Sequence, residues 1–155
     1  MNKVQINNMP TLTYSTEEAI NRLRVNLNFQ AKDVKKIMVI STTENEGKSF
    51  VAFHTWKQMA ESGIHTLLLD TDLRKSVMAE KYPDGGRNGK SSLVHPMCFP
   101  KICPFKKCCM AHDLCRRGIT FTKRRKPGNP AMLLESETFH RLLNEASEEY
   151  RYSFH

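Results

Sequence analysis

KIMVISTTENEGKSF, residues Lys36–Phe50, is the stretch around which the rest of the chain is organised. Ile37–Ile40 is a short apolar run with β-branched members, which predicts a buried strand. Polar residues follow, and Val51–Met59 then continues at helical spacing. Strand, polar loop and helix in this order are typical of a phosphate-binding loop, in which backbone N–H groups and the helix N-terminus hold the phosphates.

The loop departs from the usual pattern at its first position. G-x-x-x-x-G-K-[ST] begins with glycine, where this chain has Thr42. In such a loop Gly47 lets the backbone approach the nucleotide, Lys48 reaches the β- and γ-phosphates, and Ser49 holds Mg²⁺ through its hydroxyl. A second Gly-Lys-Ser at residues 89–91 has no strand before it and is dismissed.

A second apolar run supports the nucleotide-site interpretation. Thr66–Asp72, TLLLDTD, predicts another buried strand, one helix and a turn later, that ends in Asp70 and Asp72. Both strands would present their carboxyl ends at one edge of a parallel sheet, which brings carboxylates and loop together. Considered alone, Lys48 is equally consistent with an ordinary helix start. Asp70 and Asp72, considered alone, are consistent with a solvated strand end. Arg74 either stabilises charge on a transferring phosphoryl group or is a solvated turn residue.

Composition bounds the class of protein. The chain has 155 residues, 26% of them charged and 39% hydrophobic, as in a soluble single domain. No apolar run is long enough to span a membrane, and the N-terminus lacks a signal-peptide core, so a cytoplasmic location is expected. The net charge of +8 is local, because residues 87–126 hold eleven Lys or Arg against one acid.

Residues 83–127 differ in character from their flanks. They lose hydrophobic periodicity, and residues 86–126 are expected to be irregular. All five cysteines lie here, at Cys98, Cys103, Cys108, Cys109 and Cys115. Their spacing lacks the paired C-x2-C knuckles of structural zinc sites, so specific zinc binding is not expected. The basic residues are not interleaved with aromatics, so nucleic-acid binding is not expected either. A basic metal- or nucleic-acid-binding module remains the alternative for this segment.

Helices are predicted on both sides of the strands. Residues 1–16 form an extended arm, and residues 17–30 form a helix capped by Ser15 or Thr16. The apolar face of this helix comprises Ala19, Ile20, Leu23, Leu27 and Phe29 or Gln30. Residues 49–62 are predicted to form a helix that ends at Gly63. His54 on this helix is expected to be a surface or core residue rather than a catalytic base.

The last predicted helix begins after Ser136 and places Leu142, Leu143 and Ala146 on one face. The chain then continues as RYSFH, at the point where an α/β domain of this pattern would need another strand. The predicted fold is therefore an incomplete parallel α/β sheet with flanking helices, a single domain of residues 1–155.

Four segments carry a family resemblance: EAINRLRVNLNF (18–29), KKIMVISTTENEGKS (35–49), LLLDTDLRKS (67–76) and NPAMLLESETFHRLLNEASEEY (129–150). They resemble the cytoplasmic kinase domain of the bacterial tyrosine kinases of capsule and exopolysaccharide synthesis, which are P-loop proteins. The specific feature is the D-x-D-x-R motif, here Asp70, Asp72 and Arg74, paired with a phosphate loop. That pairing separates this family from the related chromosome-partitioning ATPases, which stay an alternative.

The resemblance implies an ATP-dependent tyrosine autokinase that regulates polysaccharide polymerisation and export. It assigns catalysis to Lys48, Asp70, Asp72 and Arg74, and the Mg²⁺ site to Ser49, Asp70 and Asp72. It assigns the ATP site to Thr43, Glu44, Asn45, Glu46, Gly47, Lys48, Ser49 and Phe50. Asp70 would act near Mg²⁺ or as base toward the tyrosine hydroxyl.

Assembly is also implied by the resemblance. The segment at 18–29 is similar to an E-x-x-R-x-x-R oligomerisation helix, with Glu18 and Arg24 in place and Asn21 where arginine is usual. A membrane-embedded co-polymerase would activate the protein and hold it at the membrane, and a homo-oligomer is expected.

The departures from the family lie in residues 86–126 and at the end of the chain. The cysteine-rich block stands between matching segments, which suggests that it is translated out of frame, and a second shift would explain the end. The sequence shows no Walker B aspartate and no C-terminal tyrosine cluster. A non-catalytic nucleotide-binding remnant is therefore the alternative to an active kinase.

Overall fold

The computed structural model describes residues 3–4, 11–30, 33–72, 110–112, 115–121 and 129–154. Its strands are Lys3–Val4 (β1), Lys36–Ile37 (β2), Thr66–Leu69 (β3), Met110–His112 (β4), Cys115–Phe121 (β5) and Tyr152–Phe154 (β6). Its helices are Tyr14–Gln30 (α1), Lys48–Glu61 (α2), Pro130–Leu134 (α3) and Glu137–Glu149 (α4). In the described part of the chain no helix is long and apolar enough to cross a membrane.

One six-stranded sheet, in the order β1-β4-β5-β3-β6-β2, organises the described residues. The strands from β5 to β2 are parallel to one another, and only the β4–β5 pair is antiparallel. Parallel strands need crossover connections, and α2 supplies the one between β2 and β3. The predicted parallel α/β sheet with flanking helices is therefore confirmed.

The first predicted strand is shorter and less buried than its sequence indicates. Regular pairing covers Lys36–Ile37, and the next residues continue without further pairing. Ile37 and Val39 pack against the core, whereas Met38 and Ile40 are 72% and 79% exposed. The alternation follows from period 2, since successive side chains of an extended chain point to opposite faces. A run that is apolar on both faces is thus covered on one face only among the described residues.

Helix α2 carries most of the core. Phe53, Trp56 and Met59 pack with Leu68 of β3 and with Phe154 of β6, and all five are at most 1% exposed. Fully burying a side chain of this size stabilises a fold by roughly 1.5–3 kcal/mol. The indole N–H of Trp56 donates to the carbonyl oxygen of Thr66 at 3.3 Å, so its one polar group is satisfied inside the core.

The end of α2 agrees with the prediction that Gly63 closes it. Gly63 adopts φ 84°, and its N–H donates to the carbonyl of Ala60 at 3.0 Å. The N–H of Ile64 donates to the carbonyl of Met59 at 3.1 Å, which completes a Schellman motif. Glycine suits this position because it alone adopts positive φ without a Cβ penalty.

Helix α1 begins earlier than predicted and buries a narrower face. Thr13, rather than Ser15 or Thr16, precedes the helix, and its hydroxyl accepts from the N–H of Thr16 at 3.4 Å. Ile20 is buried, and Leu23 and Leu27 are half-buried, as predicted. Ala19 and Phe29 are exposed, Phe29 by 75%, because α1 contacts mainly α2 and its remaining sides face solvent.

The C-terminal segment supplies a strand that sequence patterning did not predict. The Ser136 hydroxyl caps α4 as expected, accepting from the N–H of Phe139 at 3.2 Å. RYSF then enters the sheet as β6, between β2 and β3, with all three strand residues buried. Ser153 donates its N–H to the carbonyl of Lys35 at 2.8 Å, and Arg151 to that of His65 at 2.8 Å. Three residues are too short for a periodicity signal, and neighbours on both sides turn them into a strand.

Residues 86–126 are not wholly irregular. Within this segment the structure forms β4 and β5, and Gly118–Phe121 pair in parallel with β3 from Thr66 to Leu69. Backbone pairing, rather than hydrophobic alternation, supports β5 here. Cys98, Cys103, Cys108 and Cys109 lie outside the described residues, as does half of the 1–16 arm.

His54 is a core residue, as one of the two sequence interpretations held. It is 3% exposed, and its ring contacts Phe50 at 4.3 Å and Phe53 at 5.3 Å between centroids. Burial lowers the pKa of His54 below its ordinary value of 6.5, and repulsion from Lys57 lowers this pKa further. The folded state therefore disfavours the charged imidazolium.

The depressed pKa of His54 predicts a stability that falls in mild acid. Below pH 6.5 the unfolded chain takes up the His54 proton before the folded chain does, so the free energy of unfolding drops as pH falls through this window. Chemical denaturation between pH 5 and 7.5 should show a shallower pH dependence for His54→Leu than for wild type. The control is His140→Gln, a histidine substitution at an exposed position outside the core. Equal slopes for His54→Leu and wild type would contradict the prediction.

Candidate nucleotide-binding site

A cleft at the carboxyl edge of the sheet brings the two predicted motifs together. It lies between the start of α2 and the end of β3 and is lined by Val39, Lys48, Ser49, Ala52, Leu68, Leu69, Asp70, Thr71 and Asp72. Lys48 and Ser49 from the loop therefore share one cleft with Asp70 and Asp72, which follow β3. A cation, a hydroxyl and two carboxylates in one cleft can bind phosphate together with a hard metal ion.

The loop before α2 turns through two residues with positive φ. Asn45 has φ 63° and Gly47 has φ 91°, and Gly47 is the residue immediately before the helix. A Cβ added at Gly47 would meet nothing within 4 Å, so the backbone angle, not space, is what requires glycine here. The first-turn N–H groups of α2 have no helical acceptors and are available to an anion.

Glu46 is tied to the beginning of the same loop. Its carboxylate accepts from the N–H of Thr42 at 3.1 Å and from the Thr42 hydroxyl at 3.3 Å. Hydrogen bonds from Thr43 and Thr42 lower the pKa of Glu46, those from Thr43 having the larger effect. Ser41 adds a bond from its hydroxyl to the carbonyl of Thr43 at 3.0 Å. Although residues 42–46 are exposed, they have a defined conformation.

Asp70 and Asp72 differ in their environment. Asp70 is 9% exposed and accepts the N–H of Asp72 at 3.1 Å on one carboxylate oxygen. This bond turns the chain out of β3, a local arrangement that aspartate favours over two residues. Asp72 is half-buried at the cleft. The turn therefore places two carboxylates beside Lys48 and Ser49.

Phe50 is not among the residues that line the cleft, and neither are the other predicted ATP-site residues before Lys48, namely Thr43, Glu44, Asn45, Glu46 and Gly47. The Phe50 side chain is half-buried and its ring packs against His54, one turn along α2. The sequence predicted ATP contacts from Thr43 to Phe50 as one motif. The structure separates exposed loop residues from this inward-facing aromatic because α2 begins at Lys48.

Five residues line the cleft without having been predicted as site residues: Val39, Ala52, Leu68, Leu69 and Thr71. Val39 follows β2, and Thr71 lies between the two aspartates. Thr71 could have been found from its place in D-T-D, whereas Val39 carries no polar signal. Arg74, the last residue of the D-x-D-x-R motif, lies outside the described residues.

The donor set suits Mg²⁺ better than a softer metal. Ser49, Asp70 and Asp72 offer hydroxyl and carboxylate oxygens, the ligands that Mg²⁺ takes alongside phosphate and water. Across the described ranges, no three His, Cys, Asp or Glu side chains cluster as a metal site. The oxygen donors of Ser49, Asp70 and Asp72 fit Mg²⁺.

Glu18 and Arg24 lie apart from the cleft. They line a groove between α1 and α2 together with Tyr14, Glu17, Asn21, Gln58, Glu61 and Ser62. Glu18 pairs with Arg22 at 2.7 Å, and Arg24 donates twice to the Asn21 carboxamide oxygen, at 3.1 and 2.7 Å. Both pairs are exposed, so each contributes little to the stability of a single chain.

Curated relatives of this chain are tyrosine kinases. The chain is 27% identical over 136 residues to tyrosine-protein kinase CpsD of Streptococcus agalactiae, a match that covers 83% of this chain and 54% of that protein. It is 28% identical over 135 residues to tyrosine-protein kinase wzc of Salmonella typhi, over 86% of this chain and 18% of that protein. The chain thus spans about half the length, or less, of the curated relatives that it matches. It matches no protein-family model.

Solved kinase domains share the fold. The kinase domain of Escherichia coli tyrosine kinase ETK superposes with a TM-score of 0.76 at 24% identity, over 90% of this chain and 53% of that one. The VpsO kinase domain superposes with a TM-score of 0.74 at 24% identity, over 90% of this chain and 66% of that one. These likenesses confirm the α/β architecture.

The positive φ of Gly47 predicts a specific cost of substitution. Gly47→Ala should lower the free energy of unfolding by about 1 kcal/mol, because a Cβ is strained at φ 91°. Gly47→Asn should cost less, since asparagine tolerates the left-handed region better. Urea denaturation of both variants beside wild type tests this order. If alanine and asparagine cost the same, strain at this φ is not the cause.

Proposed function

We propose that this chain, a homologue of the bacterial tyrosine kinases of capsule and exopolysaccharide synthesis, binds Mg·ATP in the cleft and transfers its terminal phosphoryl group to tyrosine. The observation that carries the proposal is the meeting of Lys48 and Ser49 with Asp70 and Asp72 in one cleft. The curated relatives are named tyrosine-protein kinases, which supports the same activity.

The loop would hold the triphosphate. Backbone N–H groups at the start of α2 donate to phosphate oxygens, and the helix dipole favours their negative charge. Lys48 places its ammonium group against the β- and γ-phosphates. The positive φ values of Asn45 and Gly47 turn the backbone so that the loop wraps an anion instead of running on as a strand.

The carboxylates would organise the reacting end of the nucleotide. Mg²⁺, when bound, neutralises charge that develops on the phosphoryl oxygens. Ser49, Asp70 and Asp72 would hold it, directly or through water. Asp70, mostly removed from solvent, would also accept the proton of a tyrosine hydroxyl. Arg74 belongs to the proposed catalytic set through its motif.

Loss of the Lys48 ammonium tests the site. We expect Lys48→Ala to weaken Mg·ATP binding by about ten- to a hundredfold, the contribution of charge-assisted hydrogen bonds to phosphate. Isothermal titration calorimetry measures it. The matched control is Lys57→Ala on the same helix, where Lys57 pairs with Glu61 away from the cleft. Saturable binding that Lys48→Ala leaves intact would refute the phosphate-loop assignment.

Phosphoryl transfer is then measured by phosphotyrosine on the protein itself and on a tyrosine-containing peptide. An active protein should lose transfer in Asp70→Asn while retaining nucleotide binding. Binding without transfer in wild type would identify the alternative, a nucleotide-binding protein without kinase activity.

The proposal extends to assembly. Glu18 is exposed and Arg24 is half-buried beside the groove between α1 and α2, where their side chains can contact a second copy. A membrane-embedded co-polymerase is the proposed activating partner and would bring the protein to the membrane.

Assembly through α1 predicts a concentration-dependent mass that depends on these two residues. Glu18→Ala and Arg24→Ala should each shift the association equilibrium toward monomer in analytical ultracentrifugation. Arg141→Ala is the control, since Arg141 is an exposed helical arginine with an i,i+4 glutamate partner of its own. A monomeric wild type, or equal association by all three variants, would count against a role for the α1 motif.

A further inference from the structure

The phosphate loop contains a side-chain clamp that the usual motif lacks. Thr42 stands where the pattern has glycine, and its N–H and hydroxyl both donate to the Glu46 carboxylate, at 3.1 and 3.3 Å. Each carboxylate oxygen takes one of the two bonds. The residues joined are the first position of the motif and the residue before Gly47.

We infer that Glu46 is a positioning residue, which bridges the two ends of the loop through Thr42 and holds it in the shape that receives phosphate. This inference rests on the proposed function of the cleft. It assigns a role to Thr42, a residue that comparison with the motif alone marks only as a departure from glycine.

The loop needs such a clamp because no core packing holds it. Residues 42–46 are all exposed, so burial of apolar surface does not fix their backbone. An unrestrained loop would lose backbone conformational entropy at each residue when a ligand orders it. A loop that is ordered beforehand binds more tightly because that cost is already met in the free protein.

The clamp and the proposed phosphate site use different donors. Glu46 accepts from Thr42 and from Thr43, at the beginning of the loop. The phosphates would take the N–H groups at the start of α2, which have no helical acceptor. The carboxylate therefore does not occupy the groups on which an anion depends. Asn45 and Gly47, with φ 63° and 91°, make the turn that lets one side chain reach back over four residues.

The alternative to this role is that the Glu46 carboxylate repels the phosphates. The two interpretations predict opposite changes in ligand affinity when Glu46 is removed. A positioning residue makes binding weaker when it is removed, and a repulsive one makes binding tighter.

Calorimetric titration with Mg·ATP, and separately with magnesium tripolyphosphate, tests the clamp. We expect Glu46→Ala to weaken both ligands by about tenfold and Thr42→Val by about threefold, from the loss of charge-assisted hydrogen bonds. Thr42→Ser keeps both donors and should bind as wild type does. Asp33→Ala, which removes a surface carboxylate outside the loop, controls for net charge.

Three further readouts separate positioning from a general loss of structure. The unfolding midpoint should not move in Glu46→Ala, because both partners are exposed. The Thr42 amide should exchange faster in Glu46→Ala than in wild type without nucleotide. The double variant Thr42→Val/Glu46→Ala should bind no more weakly than Glu46→Ala alone, since both changes break one interaction.

Each outcome decides the matter. Weaker binding of both ligands by Glu46→Ala, with rescue in Thr42→Ser, supports the clamp. Unchanged or tighter binding by Glu46→Ala overturns it and leaves the proposed function standing. Folded wild-type protein that binds neither ligand refutes the proposed function, and the positioning role falls with it.

Discussion

The packing of α2 on β3 and β6 is the contact on which the rest of the described structure depends. Trp56 is fully buried, and its N–H is satisfied by the carbonyl of Thr66 in the neighbouring strand. Because α2 is held along this line, its N-terminus stops at the carboxyl edge of the sheet. Strand β3 ends at the same edge. Core contacts that lie several residues away from Lys48 and Asp70 therefore bring these two residues together.

The position of β6 is a second constraint. Without β6, β2 and β3 would have no common neighbour, since the sheet order places β6 between them. The Tyr152 hydroxyl also donates to the carbonyl of Leu27 at 3.4 Å, which links α1 to the sheet. A three-residue strand thus connects the loop strand, the aspartate strand and the first helix.

Two local backbone turns at the rim of the cleft position its polar groups. On one side, positive φ at Asn45 and Gly47 directs the loop around the start of α2. On the other, Asp70 accepts the N–H of Asp72 and turns the chain so that two carboxylates follow β3. Each of these turns can form without the other, and only the sheet brings them into one site. The relatives are tyrosine kinases of which this chain spans about half the length, or less.

The amino-acid sequence by itself determined the elements whose signals are local. The buried strand at Thr66–Leu69, the Ser136 cap and the closing Gly63 are set by short patterns of apolar, hydroxyl and glycine residues, and each appeared where predicted. A loop and a strand end at fixed separation also predicted that Lys48, Ser49, Asp70 and Asp72 lie close together, and these residues line one cleft. Tertiary structure alone decided that Tyr152–Phe154 becomes a central strand and that Met38 and Ile40 stay exposed. The reason is physical: strand pairing and burial depend on which neighbours the folded chain supplies, and no short window of sequence contains those neighbours.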